Sequence, residues 1–275
     1  MNMMQMVGIM VFCFFTSILA LSLFHRHINV KLGNTIFIIA DVIFFFFWNY
    51  AAFLNGWLED GFMTLGNISP FIMTLIPLTA LFSPKVREYC NAAIAFLWVG
   101  MFIALMISPE HAYIFSFNTE ASLLYTAEAA CHMLASVYGF YLMISGQVKC
   151  DFKNWIKSIV CIYSVITFGV VLNFLFHTRN FQMDPYGGAT IYMIDIFGGF
   201  WTTLIAYYLG VLLVLTIGMQ VGYGIQRLVE KVNIEITEES LASAKETEST
   251  EAREIQDEEK STEKVENQDK EKIEI

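Results

Sequence analysis

The sequence has few of the residues from which disulfide frameworks and metal centres are built. It contains five cysteines in 275 residues, and no two of them form a CxxC or a zinc-binding spacing. A disulfide framework is therefore not expected, and the cysteines are predicted to be small buried apolar side chains. No cluster of His, Cys and Asp offers a full ligand set, so we expect no metal and no other cofactor.

Basic residues are also scarce. The chain has 16 Lys and Arg against 26 Asp and Glu, a net charge of −10. Residues 235–275 alone hold 15 acidic and six basic residues, a net charge of −9, which leaves −1 for everything before them. The acidity therefore belongs to the C-terminal segment, and no nucleic-acid partner is expected.

Apolar residues, by contrast, make up 56% of the chain, and the mean hydropathy is +0.54. They come in runs of about 20 residues, the length that crosses a hydrocarbon core of ~30 Å as a helix. This pattern predicts an all-α polytopic transmembrane helix bundle. Seven spans are predicted, at residues 5–24, 35–54, 67–83, 90–107, 119–145, 154–176 and 200–224.

The third span is the shortest and the most interrupted. Its sequence, NISPFIMTLIPLTALF, carries Pro70 near the start and Pro77 inside. Because proline lacks an N–H and its ring clashes with the preceding turn, Pro77 is predicted to kink this helix.

Loop charges predict the orientation of the bundle. Nine basic residues lie in alternate loops that would share one side, and the other loops hold only Arg179. The positive-inside rule then places the N-terminus outside and the C-terminus in the cytoplasm, and an even number of spans would break the alternation. The nine are Arg26, Lys31, Lys85, Arg87, Lys149, Lys153, Lys157, Arg227 and Lys231.

Two regions follow from this pattern. Residues 1–226 are predicted to form the seven-helix transmembrane domain, and residues 227–275 an acidic cytoplasmic tail. The tail is rich in Glu, Lys, Ser and Thr, and residues 235–275 contain no aromatic residue. Such a segment buries too little apolar surface to offset the entropy of ordering, so the tail is predicted to be disordered.

Ionisable residues within the spans are the first candidates for function, because charge at membrane depth is costly. They are Asp41 in the second span and Glu128 and His132 in the fifth, in the stretch TAEAACHMLA at residues 126–135. Glu128 and His132 are four positions apart and therefore share one helix face. Thr79, Tyr125 and Asn173 are polar neighbours of these residues, and Asp41, Tyr125 and Asn173 are candidates for binding a substrate.

Depth estimates at ~1.5 Å per residue group these candidates. Asp41, Thr79 and His132 are expected to meet in the inner half of the membrane, and Glu128 and Asn173 in the outer half. The Glu128 and His132 pair fits general-base catalysis, a proton relay, or a hydrogen bond that only fixes helix packing. Metal binding is the weakest interpretation, because the remaining ligands are missing.

Four segments of the chain resemble the YwaF-type family of bacterial integral membrane proteins. They are TLIPLTALFSPKVREY, ACHMLASVYGFYLMISG, LNFLFHTRNF and the loop ending IDIFGGFW. The resemblance covers roughly residues 35–225, and His132, Asn173, Asp195 and Gly198 stand at the family's recurring positions.

The resemblance implies a multi-pass protein of the bacterial plasma membrane. The family is distantly similar to eukaryotic membrane proteins that transfer lipid acyl chains with an intramembrane Cys and His, and more remotely to lipid hydrolases that use Thr and His. It therefore implies His132 as a catalytic base. The chain has Thr79 where the family carries a His, which makes Thr79 the candidate nucleophile, provided that a base lies within hydrogen-bond reach.

Three functions remain open at this point. The first is an intramembrane lipid-active enzyme, for acyl transfer or hydrolysis, with His132, Glu128 and Thr79 as its catalytic residues. The second is a proton-coupled transporter or small-molecule carrier, in which Asp41 and Glu128 titrate. The third is a membrane sensor or scaffold that uses its acidic tail. Membrane lipids are the expected partners, with a lipid or small molecule as ligand inside the bundle.

Overall fold

The computed structural model describes residues 3–54, 68–107, 120–178, 180–182, 185 and 198–232. All the regular structure in these ranges is helical. Short 3-10 turns lie at His25–His27 and Asn180–Gln182. The main helices are α1 Met3–Phe24, α2 Val30–Leu54, α3 Ile68–Leu78, α4 Pro84–Ile107, α5 Glu120–Ile144, α6 Phe152–Phe176 and α7 Phe200–Val232.

Six of these helices, all except α3, are long and apolar enough to cross a membrane. Their outward faces carry large exposed apolar side chains, such as Phe12, Phe46, Phe176 and Leu213. In lipid this arrangement places apolar groups against acyl chains and satisfies every helical backbone bond within its own segment. The predicted all-α class is therefore confirmed for the described residues, and six of the helices could span a membrane.

Helix α3 differs from the third predicted span. It has 11 residues, about 16 Å, and therefore does not cross a core of ~30 Å by itself. Instead of kinking at Pro77 and continuing, it ends one residue later, at Leu78. Arg87 of α4 reaches back to the chain that follows, where its Nε donates to the Thr79 carbonyl at 2.8 Å and its Nη2 to the Phe82 carbonyl at 3.1 Å. These bonds satisfy carbonyls that a continuing helix would have paired.

The interior of the bundle lies along α5. In an 18-residue stretch within Thr126–Ile144, 78% of the residues are buried, against 11% in a stretch of the same length in α1. Helix α5 packs between α2 and α4, and α4 also packs against α6. Polar groups on α5 are therefore held away from lipid.

Two glycines allow close helix approach around α4. A Cβ on Gly139 of α5 would lie 2.6 Å from the Ile94 carbonyl oxygen, and one on Gly218 of α7 would overlap the Phe96 carbonyl. Small residues at such crossings let the helix backbones approach closely. This packing matters in lipid, because there the hydrophobic effect does not drive helices together.

Helix α7 is joined to α5 and α6 by side-chain hydrogen bonds. Gln226 Nε2 donates to the carbonyls of Met143 and Val148, both at 2.8 Å, and Tyr163 OH donates to the Tyr208 carbonyl at 2.7 Å. Residues up to Gln226 belong to one compact unit. Residues 233–275 lie outside the described residues, so the disorder of the tail stays a prediction.

Candidate functional site

Four polar side chains come from the packed helices α2 and α5, and we call them the α2/α5 cluster: Asp41, Glu128, Cys131 and His132. Asp41 comes from α2 and is fully buried, at 0% exposure. Its carboxyl and that of Glu128 both lie close enough to the buried Cys131 thiol for their charges to act on it. The structure therefore brings two of the predicted acids to the same part of the bundle.

The antiparallel packing of α2 on α5 positions this cluster. Gly33 faces Tyr141 near one end, and the Phe37 ring lies 5.1 Å from the ring of Tyr138. Further along, the Trp48 ring lies 6.4 Å from the His132 ring. Asp41 falls between these two levels, because it is one helical turn from Phe37 and two turns from Trp48.

The Asp41 carboxyl has no hydrogen-bond partner within the described part of the chain. Both Oδ1 and Oδ2 are buried and unpaired. The Cys131 thiol and the Tyr138 hydroxyl lie within reach of its charge. An isolated carboxylate is very costly in an apolar interior, where a group of this kind becomes neutral instead.

His132 is buried and oriented by its own helix. Its Nδ1 lies 2.9 Å from the backbone carbonyl oxygen of Glu128. Since a carbonyl only accepts, Nδ1 carries the proton, and Nε2 is the accepting nitrogen of the neutral ring. In this hydrogen bond, His132 contacts the backbone carbonyl of Glu128 and not its carboxyl.

Thr79 lies at the end of α3 and is buried. Its hydroxyl donates to the Ile76 carbonyl at 2.6 Å, and its own carbonyl accepts from Arg87. Within the described residues, the Thr79 hydroxyl therefore bonds its own helix and not His132. A Thr hydroxyl at a helix end readily bonds a backbone carbonyl of its own helix. The apolar runs from which the spans were predicted do not show such local bonds.

Asn173 is buried near the end of α6, where it organises the turn that follows. Its Oδ1 accepts from the Asn180 backbone N–H at 2.7 Å and from the Thr178 hydroxyl at 3.0 Å, and its Nδ2 donates to the Asn180 carbonyl at 3.0 Å. These bonds give it a structural role that asparagine side chains commonly take in turns. The expected contact with Glu128 stays a prediction.

The structure does not describe the side chains of two other candidates. Tyr125 belongs to α5, but its side chain lies outside the described residues, as does Asp195. Gly198 is described and has a positive φ of 76°, a conformation that favours glycine.

Sequence reasoning missed Cys131 and Trp48 as neighbours of the candidate acids. A cysteine beside His132 and a tryptophan seven residues after Asp41 were the available signals, but neither residue type marks a site by itself. In the described helices, no three His, Cys, Asp or Glu side chains converge as a metal ion requires.

Comparison with known proteins indicates no function, so the function is argued from this geometry. The chain matches no protein-family model, no curated protein and no solved structure.

Proposed function

We propose that this protein is a proton-coupled carrier of small solutes in a bacterial plasma membrane, with Asp41 as the proton-binding group. The observation that carries the proposal is the fully buried Asp41 carboxyl, which has no hydrogen-bond partner in the described residues. Ionisable groups of this kind within membrane helices commonly mark proton or ion pathways.

The mechanism starts from a protonated Asp41. In the α2/α5 interface the carboxyl is neutral, since no cation or donor among the described residues compensates its charge. Release of the proton requires water, a substrate or a second helix arrangement to reach the carboxyl. Glu128 and His132 lie on the neighbouring helix and supply further proton-exchanging groups for the path.

The proposal also includes the number of spans and their orientation in the membrane. Six long helices together with the shorter α3 support seven spans. The loop charges support an outer N-terminus and a cytoplasmic C-terminus. Within this proposal the chain is a YwaF-type protein, as its four similar segments suggest, and its exposed apolar faces contact membrane lipids.

Carbodiimide labelling tests the proton site without knowledge of a substrate. A hydrophobic carbodiimide modifies protonated carboxyls in apolar surroundings, so peptide mass spectrometry of the purified protein should find the adduct on Asp41. The exposed carboxylate of Glu88, which is paired with Lys157, serves as the internal comparison and should remain unmodified. An adduct on Glu88 with none on Asp41 would contradict the proposal.

Proteoliposomes then test coupling. Vesicles containing pyranine, a pH-sensitive dye, receive an outward-alkaline or outward-acid pH step with panels of amino acids, carboxylic acids or nucleobases. Wild type should show proton entry that depends on one panel, Asp41→Asn should lose it, and Glu88→Gln should retain it. Equal solute-dependent proton flux in wild type and Asp41→Asn would overturn the role of Asp41.

A lipid-active enzyme is the second candidate, favoured by the orientation of His132. The bond from Nδ1 to the Glu128 carbonyl holds the ring in the tautomer whose Nε2 accepts a proton, as a general base requires. Because the Thr79 hydroxyl is bonded to Ile76, water is the better-supported nucleophile, and the reaction class is hydrolysis of a lipid ester.

A further inference from the structure

Two cysteine thiols meet between α4 and α6. Cys90 of α4 and Cys161 of α6 lie within hydrogen-bonding reach of each other, and both are free thiols. The two helices pack against each other along the chain's compact unit. The sequence predicted these cysteines only as small buried apolar side chains, and the structure brings them together as a pair.

A second contact joins the two helices at the same level. Glu88, two residues before Cys90, is bonded to Lys157, which lies one turn before Cys161. A disulfide forms only where the backbone already brings its two cysteines close together. Because α4 and α6 are joined here by packing and by this ion pair, an S–S bond between the thiols would require no new helix contact.

The pair is accessible from one side. Cys90 is buried, at 4% exposure, whereas Cys161 is only partly buried. Cys161 follows the exposed Val160 and lies three residues before the exposed Ser164, on a side of α6 that is not fully covered by other helices. A small oxidant can therefore reach the pair past Cys161, while Cys90 stands behind it as the second thiol. An accessible cysteine beside a second one is the usual arrangement of redox-sensing pairs.

The pair supplies its own reactive form. A thiol that donates a hydrogen bond stabilises the thiolate that accepts it. The thiolate is the nucleophilic form of cysteine and the one that hydroperoxides oxidise. Two thiols within hydrogen-bonding reach therefore combine a nucleophile with the proton donor that stabilises it.

The position along the helices indicates the resting state. Cys90 lies about 9 Å from the start of α4 at Pro84, and Cys161 about 14 Å from the start of α6 at Phe152. In the orientation proposed above, both are in the cytoplasmic half of the membrane. Cytosolic thiol systems keep cysteines reduced, so a disulfide at this place is transient and forms only during oxidation.

We propose that Cys90 and Cys161 are a hydroperoxide-sensitive thiol pair that closes a disulfide between α4 and α6. One thiolate attacks the hydroperoxide, the O–O bond breaks, and the departing oxygen takes up a proton and leaves as an alcohol or water. The cysteine is now a sulfenic acid, and the second thiol attacks its sulfur and displaces water. In sum, two thiols are oxidised to one disulfide and one O–O bond is reduced.

Two sources share this chemistry: hydrogen peroxide from the aqueous phase, and organic hydroperoxides dissolved in the membrane. An external dithiol or two thiols return the pair to its reduced form by exchange. The pair is independent of Asp41 and goes beyond the proposed carrier function.

Mass spectrometry of the full-length protein in nanodiscs tests the pair. The protein is reduced with dithiothreitol, desalted, treated with hydrogen peroxide or cumene hydroperoxide, alkylated, and digested without further reduction. We expect a linked peptide that joins Cys90 to Cys161, and the return of both alkylated thiols when dithiothreitol follows the oxidant. Faster linkage by cumene hydroperoxide would identify a membrane-phase source, and faster linkage by hydrogen peroxide an aqueous one.

Three variants serve as controls. Cys90→Ala should abolish the linked peptide and leave Cys161 open to dimedone, a reagent that traps sulfenic acids. Cys131→Ala removes a different buried cysteine, from α5, and should keep the linked peptide. Asp41→Asn should also keep it, which separates the pair from the proton site.

The wild-type protein alone can overturn the proposal, so a variant that fails to fold does not obscure the result. Full alkylation of Cys90 and Cys161 after both oxidants would show that the pair does not react. Linkage of Cys161 mainly to a cysteine other than Cys90 would contradict the described contact. Either result would make the proposal wrong.

Discussion

At the scale of single residues, Asp41 and His132 show what membrane depth does to two polar side chains. Both are buried, but His132 has a hydrogen bond to the Glu128 carbonyl, whereas both Asp41 oxygens lack a described partner. The sequence identified both as costly residues inside apolar runs. It did not show that Asp41 lacks a partner, because that depends on which groups of α5 face α2.

His132→Ala tests the enzyme candidate at this scale. If His132 is a general base, its loss should reduce lipid turnover by about 100-fold or more. Lipid mass spectrometry of nanodiscs should then find released fatty acid or altered acyl chains with wild type and not with the variant. His27→Ala removes an exposed histidine and should behave as wild type. Equal lipid profiles for wild type and His132→Ala would leave no catalytic role for this side chain.

At the scale of helices, the apolar runs predicted where each helix lies, but α4 begins six residues before its predicted start and α7 ends eight residues after its predicted end. Helix α3 was expected to run to residue 83 and ends at Leu78. Arg87 follows this end in sequence by nine residues and donates to the carbonyls of Thr79 and Phe82 in the turn after α3. Hydropathy counts apolar length and does not register a side chain that returns to bond the turn after a helix.

Gly218→Ala tests the close packing of α7 on α4. The added Cβ would overlap the Phe96 carbonyl, so α7 must shift, and overpacking of this kind commonly costs about 1–3 kcal/mol. We expect Tm to fall by roughly 2–4 °C per kcal/mol. The matched control is Gly210→Ala in the same helix, since nothing lies within 4 Å of a Cβ at Gly210. Equal Tm changes in both variants would contradict the described packing.

At the scale of the whole molecule, the distribution of exposed and buried groups suits a lipid environment. Large apolar side chains point outward on α1, α2, α6 and α7, while Asp41, His132 and Asn173 are buried. The orientation across the membrane depends on the loop charges alone, and labelling from one side can test it.

Lys149→Cys places a thiol in the exposed α5–α6 turn. If this turn is cytoplasmic, a membrane-impermeant maleimide should label the variant in inside-out vesicles and not in intact cells. Wild type should stay unlabelled there, since burial, together with the charge of Asp151, raises the pKa of the neighbouring Cys150 thiol to about 12. At neutral pH this thiol is protonated and thus unreactive. Labelling of Lys149→Cys in intact cells would reverse the proposed orientation.

The sequence by itself determined that this chain forms apolar helices long enough for a membrane, because in lipid each such segment must satisfy its backbone hydrogen bonds internally. It also identified the ionisable residues whose position inside those helices is costly. Only the tertiary structure decided that Asp41 has no hydrogen-bond partner in the described residues, that Arg87 bonds the carbonyls after α3, and that Asn91 and Gln147 line one cavity. These features join residues from different helices, and their hydrogen bonds depend on helix neighbours and rotation that no local pattern specifies.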